Sequence, residues 1–218
     1  MENQDNKSAR KDRAEFTTEQ QDRIDRIKAA AAKLAHEGGY EAVRLRDVAD
    51  AAEVAMATLY RYFRCKEEIL LAIMSEEYST LEDYLRQNPP EGETPMARAM
   101  VIFRLLTKAM AGRPGYTRAT LRALSSGQPS TAPQVSALHN RLASILLNAI
   151  RDCQTDPLKP GVTLDQLEPD QAHAWMLDRI WFTSIMGWAG GALDEDAVLK
   201  EITAAAKLLL EGEFPSPA

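Results

Sequence analysis

The sequence predicts an all-α protein of about nine helices, with three small N-terminal helices ahead of a larger helical bundle. Three observations carry this. Apolar residues recur at three- and four-residue spacing through most of the chain. Strand signals are nearly absent, because no stretch alternates apolar and polar residues with β-branched enrichment. Gly and Pro clusters separate the periodic runs, where they terminate helices.

Residues 1–17 are polar and charged and read as a flexible arm containing Lys7, Arg10, Lys11 and Arg13. From Thr18 the pattern is helical, with Ile24, Ile27, Ala31 and Leu34 on one face, and Gly38-Gly39 stops it. A short helix over Leu45–Ala52 buries Leu45, Val48, Ala49 and Ala52. A tight turn at Glu53-Val54 leads to a third helix from about Ala55 to Tyr62. The fourth starts near Lys66 and runs to Asn88-Pro89-Pro90 on a stripe that includes Ile69, Leu70, Ile73, Met74 and Leu81. Five more helices are expected near 94–112, 115–125, 133–153, 169–190 and 194–211. The natural boundary lies near residue 64. It divides the chain into the arm, a domain over 18–64 and a domain over 65–218.

A chain of 218 residues, 45% of them hydrophobic, can bury a sizeable core. The net charge of −6 would argue weakly against a nucleic-acid partner, but its distribution removes the objection. Residues 1–64 hold 12 basic and 12 acidic side chains, so the whole acidic excess is C-terminal. Cys65 and Cys153 form neither a CxxC pair nor a disulfide framework, which suits a reducing cytoplasm. The polar N-terminus does not read as a secretory leader, and no apolar run is long enough to span a bilayer, so no membrane role is expected.

The segment that carries chemistry is 43–63, VRLRDVADAAEVAMATLYRYF. Two short helices joined by a turn of three or four residues are the geometry of a helix-turn-helix. Val48, Ala49, Val54, Leu59 and Phe63 would lock the pair, and the opposite face would present Met56, Thr58, Arg61 and Tyr62 to a groove. By itself this pattern is weak, since many all-α proteins contain such pairs.

The residues Gly39-Tyr40, Arg46-Asp47-Val48-Ala49, Thr58-Leu59-Tyr60-Arg61-Tyr62-Phe63 and Lys66-Glu67-Glu68-Ile69-Leu70 occur in that order, and this stretch resembles the DNA-binding domain of the TetR family. The resemblance implies a homodimer on a palindromic double-stranded DNA operator. Candidate DNA contacts are Arg44, Arg46, Met56, Thr58, Tyr60, Arg61, Tyr62 and Lys66. Arg46 matches the family's base- or phosphate-contacting arginine, and Tyr60, Tyr62 and Lys66 match its phosphate clamps. Such clamps set register, whereas base edges set sequence choice. The sequence departs from the family pattern at Glu53, where Gly is usual. Ala55 replaces the Ser or Thr that caps the third helix, a loss of about 1 kcal/mol. Ala57 stands where a second Gly is common, and Cys65 where a Ser cap is usual.

The stretch 169–190, PDQAHAWMLDRIWFTSIMGWAG, holds all three tryptophans and is apolar nearly all round, so it must be buried on most sides. The resemblance offers two places for that burial: a dimer interface and a ligand cavity between neighbouring helices. Candidate ligand contacts are Met100, Phe103, Met110, Leu121, Leu146, Trp175, Asp178 and Phe182. Candidate dimer contacts are Trp181, Ile185, Trp188 and Leu208. Asp178 and Arg179 interrupt the apolar run. As helix neighbours they are expected to point apart, each satisfying another helix. The wider pattern of Thr94, Pro95, Arg98, Ala109, Met110, Pro114, Thr117, Ala119, Arg122 and Ala123 resembles the actinobacterial cholesterol-catabolism repressors. That implies a small, bulky, apolar effector, sterol-derived or of fatty acyl-CoA type, with Arg104, Arg113, Arg118 and Arg122 as candidates for its phosphates.

His36, His139 and His173 fit no zinc spacing, and no P-loop, GxGxxG or GxSxG is present, so neither cofactor, metal nor enzymatic activity is expected. Two alternatives stay open: a ligand-independent or activating regulator, and an enzyme or ligand-sequestering protein on the same fold.

Overall fold

Thr17 opens the first helix with a reciprocal cap, its hydroxyl accepting from the Gln20 amide while the Gln20 side chain accepts from the Thr17 amide. The computed structural model describes residues 17–159 and 161–212, so all but the last residue of the expected arm lies outside the described residues. Among them are nine α-helices, one 3₁₀ turn and no strand: α1 (Thr18–Ala42), α2 (Leu45–Ala51), α3 (Met56–Tyr62), α4 (Lys66–Gln87), α5 (Pro95–Ala111), α6 (Pro114–Leu124), α7 (Ala132–Arg151), the 3₁₀ turn Leu164–Gln166, α8 (Pro169–Ala189) and α9 (Glu195–Leu210).

The local chemistry explains most boundaries. Gly39, at φ 67° and ψ −161°, breaks α1 in a region open only to glycine, and one more turn follows it. Thr94 caps α5 through the Ala97 amide and Asp194 caps α9 in the same way, while Pro residues open α5, α6, α7 and α8. The end of α7 is finished by the buried Arg98 of α5, which donates to the carbonyls of Ala149 and Ile150 at 2.7 and 2.9 Å. The two helices of the helix-turn-helix have no side-chain caps at Arg44 or Ala55. Seven residues each, they are too short to stand alone and depend on packing.

That packing comes from Val48, Ala49, Ala52, Leu59 and Phe63, which join Ile27 and Leu70 in the core. Glu53 turns the chain with φ 52°, the left-handed conformation that glycine tolerates best. In the larger bundle α8 lies against α7 and α9, and α5 against α9 and α7. Helix α1 rests on α6 and α4. The α1–α6 seam is tight at Gly115, where a Cβ would lie 2.9 Å from the His36 carbonyl oxygen and 3.2 Å from that of Ala35.

Two of the expected dimer contacts are corrected by this packing. Trp181 is 3% exposed and its indole N–H donates to Thr107 of α5 at 3.1 Å, while Ile185 is wholly buried. Both are core residues of one subunit and leave nothing for a partner to touch. The faces of α8 and α9 that remain at the surface carry Ile180, the half-buried Trp188, and Leu208 at 39% exposure.

Candidate DNA-reading surface and cavity

The outward face of the helix-turn-helix is built by the core beneath it. With Leu59 and Phe63 turned inward, α3 presents Tyr60, 52% exposed, and Arg61 to solvent. Arg44 and Arg46 are exposed beside and at the start of α2, with no ion pair among the described residues. Thr58 is part-buried. Met56 packs partly on the core, which reduces what it can offer a groove. Arg26 of α1 donates to the Ala52 carbonyl at 2.6 Å and fixes the turn from behind.

Tyr62 and Lys66 are engaged within the chain. The Tyr62 hydroxyl accepts from Arg61 at 2.8 Å, a bond that holds its pKa below the usual phenol value. Lys66 donates to the Tyr40 carbonyl at 3.0 Å, and its ammonium sits 3.6 Å from the Tyr40 ring centroid. Arg122 of α6 also lies over that ring, at 4.4 Å, and pairs with Glu41 at 2.7 Å. The Tyr40 hydroxyl donates to the buried Glu67 of α4. This aromatic node therefore joins the end of α1, the start of α4 and the outer side of α6.

Between α4, α5, α6 and α8 lies a cavity of about 380 Å³, walled by Met74, Tyr78, Leu81, Leu106, Met110 and Trp181 among others and open to solvent past the exposed Thr80 and Tyr84. Its rim carries Glu77 and Arg113, paired at 2.6 Å. The buried Tyr116 hydroxyl lies beside Glu77 without hydrogen-bond geometry. Burial, then the Glu77 charge, pushes its pKa far up. A small recess adjoins the cavity and shares Met74, Tyr78, Met110 and Trp181. It also reaches Leu121, His139, Asp178 and Phe182.

Of the ligand contacts expected from sequence, Met110 lines the cavity, and Leu121, Asp178 and Phe182 line the recess. Met100 does not: it faces α9, where the Thr203 hydroxyl approaches its sulfur at 3.8 Å. Phe103 and Leu146 are fully buried core, Phe103 lying behind Trp181 with ring centroids 6.1 Å apart. Trp175 stacks under Arg179, 4.4 Å from its guanidinium. Asp178 and Arg179 do pair, at 2.8 Å, because the long arginine side chain folds back across the helix surface. Asp178 also satisfies α7, as expected, accepting from His139 Nδ1 at 2.8 Å. Trp181, Tyr78 and His139 were missed as cavity residues. The apolar girth of α8 gave Trp181 no readable direction, and contacts between α4, α7 and α8 leave no short motif. Of the four arginines expected near an effector's phosphates, Arg113 alone lines the cavity. Arg118 donates to the Ala189 carbonyl at 3.0 Å, Arg122 binds Glu41 and Arg104 is exposed.

An outward-facing helix-turn-helix on a helical bundle with a pocket open to solvent on one side defines a helix-turn-helix class of transcription regulator. The family model described as bacterial regulatory proteins, tetR family, matches residues 27–73. The chain is 33% identical over 191 residues to the HTH-type transcriptional repressor KstR of Rhodococcus jostii strain RHA1, covering 88% of this chain and 84% of that protein. It is 30% identical over 192 residues to KstR of Mycobacterium tuberculosis, covering 88% and 82%. It belongs to the TetR family, near the KstR group, and is a transcriptional repressor of that family. Among solved structures, a TetR regulator from Rhodococcus sp. RHA1 superposes with TM-score 0.70 at 25% identity, covering 89% of this chain and 98% of that one. The Thermus thermophilus FadR, solved with lauroyl-CoA, superposes with TM-score 0.68 at 22% identity, covering 89% and 99%. Among the described residues no helix is long and apolar enough to cross a membrane, and no three His, Cys, Asp or Glu side chains are grouped to hold a metal.

Proposed function

We propose that the protein is a homodimer that reads a palindromic operator with residues 18–64. A bulky apolar effector of sterol-derived or fatty acyl-CoA type, entering the bundle of residues 65–218, would release it. One observation carries the switch: the same two helices wall the cavity and support the helix-turn-helix. Met74, Tyr78 and Leu81 of α4, and Tyr116, Thr117 and Thr120 of α6, line the cavity. The N-terminal turn of α4 meets Tyr40, and α6 abuts the Ala35 and His36 carbonyls through Gly115. An effector that spreads these walls displaces the seat of α1 and, through it, the reading helix.

The cavity volume falls within the range usual for small-molecule sites, and its methionines adapt to bulky apolar shapes. An acyl-CoA class is supported by Arg113 at the rim and by the lauroyl-CoA held on a similar fold by FadR. Dimerisation is supported by the apolar residues left at the surface of α8 and α9, Ile180, Trp188 and Leu208. A two-fold dimer would set two copies of α3 about 34–36 Å apart, one turn of duplex. Lys66 and Tyr62 would reach phosphate with donors their intramolecular bonds leave over, Lys66 through its remaining N–H groups and Tyr62 through the hydroxyl hydrogen, since that hydroxyl accepts from Arg61.

The test is selection of bound sequences from random DNA, followed by titration of CoA thioesters into a shift assay on the selected operator. A drop in affinity of about 5–150-fold is expected. An effector that saturates the cavity without changing DNA affinity refutes the switch.

A further inference from the structure

The recess at the inner side of the cavity has a chemistry unlike the rest. It measures about 10 Å³, room for a single water-sized group. Its lining combines apolar side chains with three polar ones, Asp178, His139 and Tyr78. Asp178 is 1% exposed, and its Oδ2 accepts from both His139 Nδ1 and Arg179 Nη1 at 2.8 Å. Among the described residues no donor meets its other oxygen, Oδ1, and no hydrogen bond is made by the Tyr78 hydroxyl. Two residues that line the recess thus each keep an unpaired polar group, a carboxylate oxygen of Asp178 and the phenol of Tyr78. Filling the space above them with hydrocarbon would cost the hydration of both.

We infer that the effector carries a hydroxyl at the end of its apolar body that enters first, where it donates to Asp178 and accepts from Tyr78. This rests on the reading of the cavity as the effector site. A hydroxyl is the smallest group that satisfies both partners. A ketone oxygen accepts from Tyr78 but has nothing to give Asp178, and a methyl terminus serves neither. The geometry therefore selects against a plain saturated acyl chain, since a site built around polar groups rejects the analogue that lacks the matching one.

The experiment uses the full-length protein and two matched pairs: ω-hydroxyhexadecanoyl-CoA with hexadecanoyl-CoA, and lithocholoyl-CoA with cholanoyl-CoA, which lacks its ring hydroxyl. Calorimetric affinities and release of labelled operator are read for each. The hydroxylated member of at least one pair should bind about tenfold or more tightly, as expected for a hydrogen bond to a charged group. In Asp178→Asn and in Tyr78→Phe that preference should fall to about threefold or less. Asp178→Asn alters the bonds to His139 and Arg179 and risks the fold. Tyr78→Phe leaves them intact and keeps the test decisive. Equal binding within both pairs overturns the inference while the apolar-effector reading stands. A preference that survives Tyr78→Phe also overturns it. If no member of either pair binds, both readings fall.

Discussion

Replacing Gly115 with alanine probes the seam between α6 and α1 with one methyl group. The added Cβ would meet the His36 carbonyl oxygen at 2.9 Å and that of Ala35 at 3.2 Å, and both atoms belong to backbone that cannot rotate away. The seam must open by about 0.5 Å to reach ordinary contact. Overpacking of this kind costs about 1–3 kcal/mol. Alanine's better helix propensity returns less than about 1 kcal/mol at the first turn of a helix. A net loss of about 1–2 kcal/mol lowers the Tm of a chain this size by about 2–8 °C. Because the strain falls where α6 supports α1, operator affinity and its response to effector should change more than effector affinity itself. Thermal unfolding, calorimetry with the effector and a DNA shift titration measure the three quantities. Gly112→Ala is the control, since its Cβ would lie 3.4 Å from the nearest atom, the Lys108 carbonyl oxygen. An unchanged Tm and unchanged effector-driven release in Gly115→Ala would refute the proposed route through α6.

Other changes test other parts. Glu53→Gly relieves the left-handed turn before α3 and should raise stability by about 0.5–1 kcal/mol in urea unfolding, with no loss of operator binding. Tyr60→Ala removes an exposed side chain, so the Tm should stay within about 1 °C while operator affinity drops about tenfold. Arg46→Ala, if the side chain meets phosphate, should lower affinity on all sequences and reduce the salt slope by about one. Burial would raise the Glu67 pKa, but the Tyr40 hydroxyl and neighbouring donors outweigh it and hold it below the usual glutamate value. Its contribution is therefore present at neutral pH and lost as pH falls through the lowered folded value. The stability advantage of the wild type over Glu67→Gln should shrink as urea melts are taken from pH 7 towards about pH 3.

The helices were legible because their signals are local. Thr94-Pro95 and Pro114 begin helices within a residue of where they are expected, and Ala55 and Cys65 lack side-chain caps as their chemistry dictates. Glu53, standing where glycine is usual in the family, adopts the backbone that glycine would. The cavity was less legible. Met110, Leu121, Asp178 and Phe182 line its spaces, but Met100, Phe103 and Leu146 are ordinary core. The reason is physical: periodicity reports that a helix face is buried, not whether it meets another side chain or empty space. For α8, apolar nearly all round, even the buried direction is unreadable, so the sequence offers Trp181 and Ile185 as dimer contacts although both lie in the core. The Asp178–Arg179 pair shows a further limit, since Cβ directions do not constrain where a long guanidinium ends.

Helix α6 is held on two sides by unlike demands. Tyr116, Thr117 and Thr120 shape the chamber, while Gly115 and Arg122 of the same eleven-residue helix bear on α1 and its terminal turn. A substitution that re-tailors the chamber from this side should therefore also disturb the seat of α1. Evolution, or an engineer, seeking a sensor for a new compound with its output preserved should edit walls that do not bear on α1, Leu105 and Leu106 of α5, and leave α6 untouched.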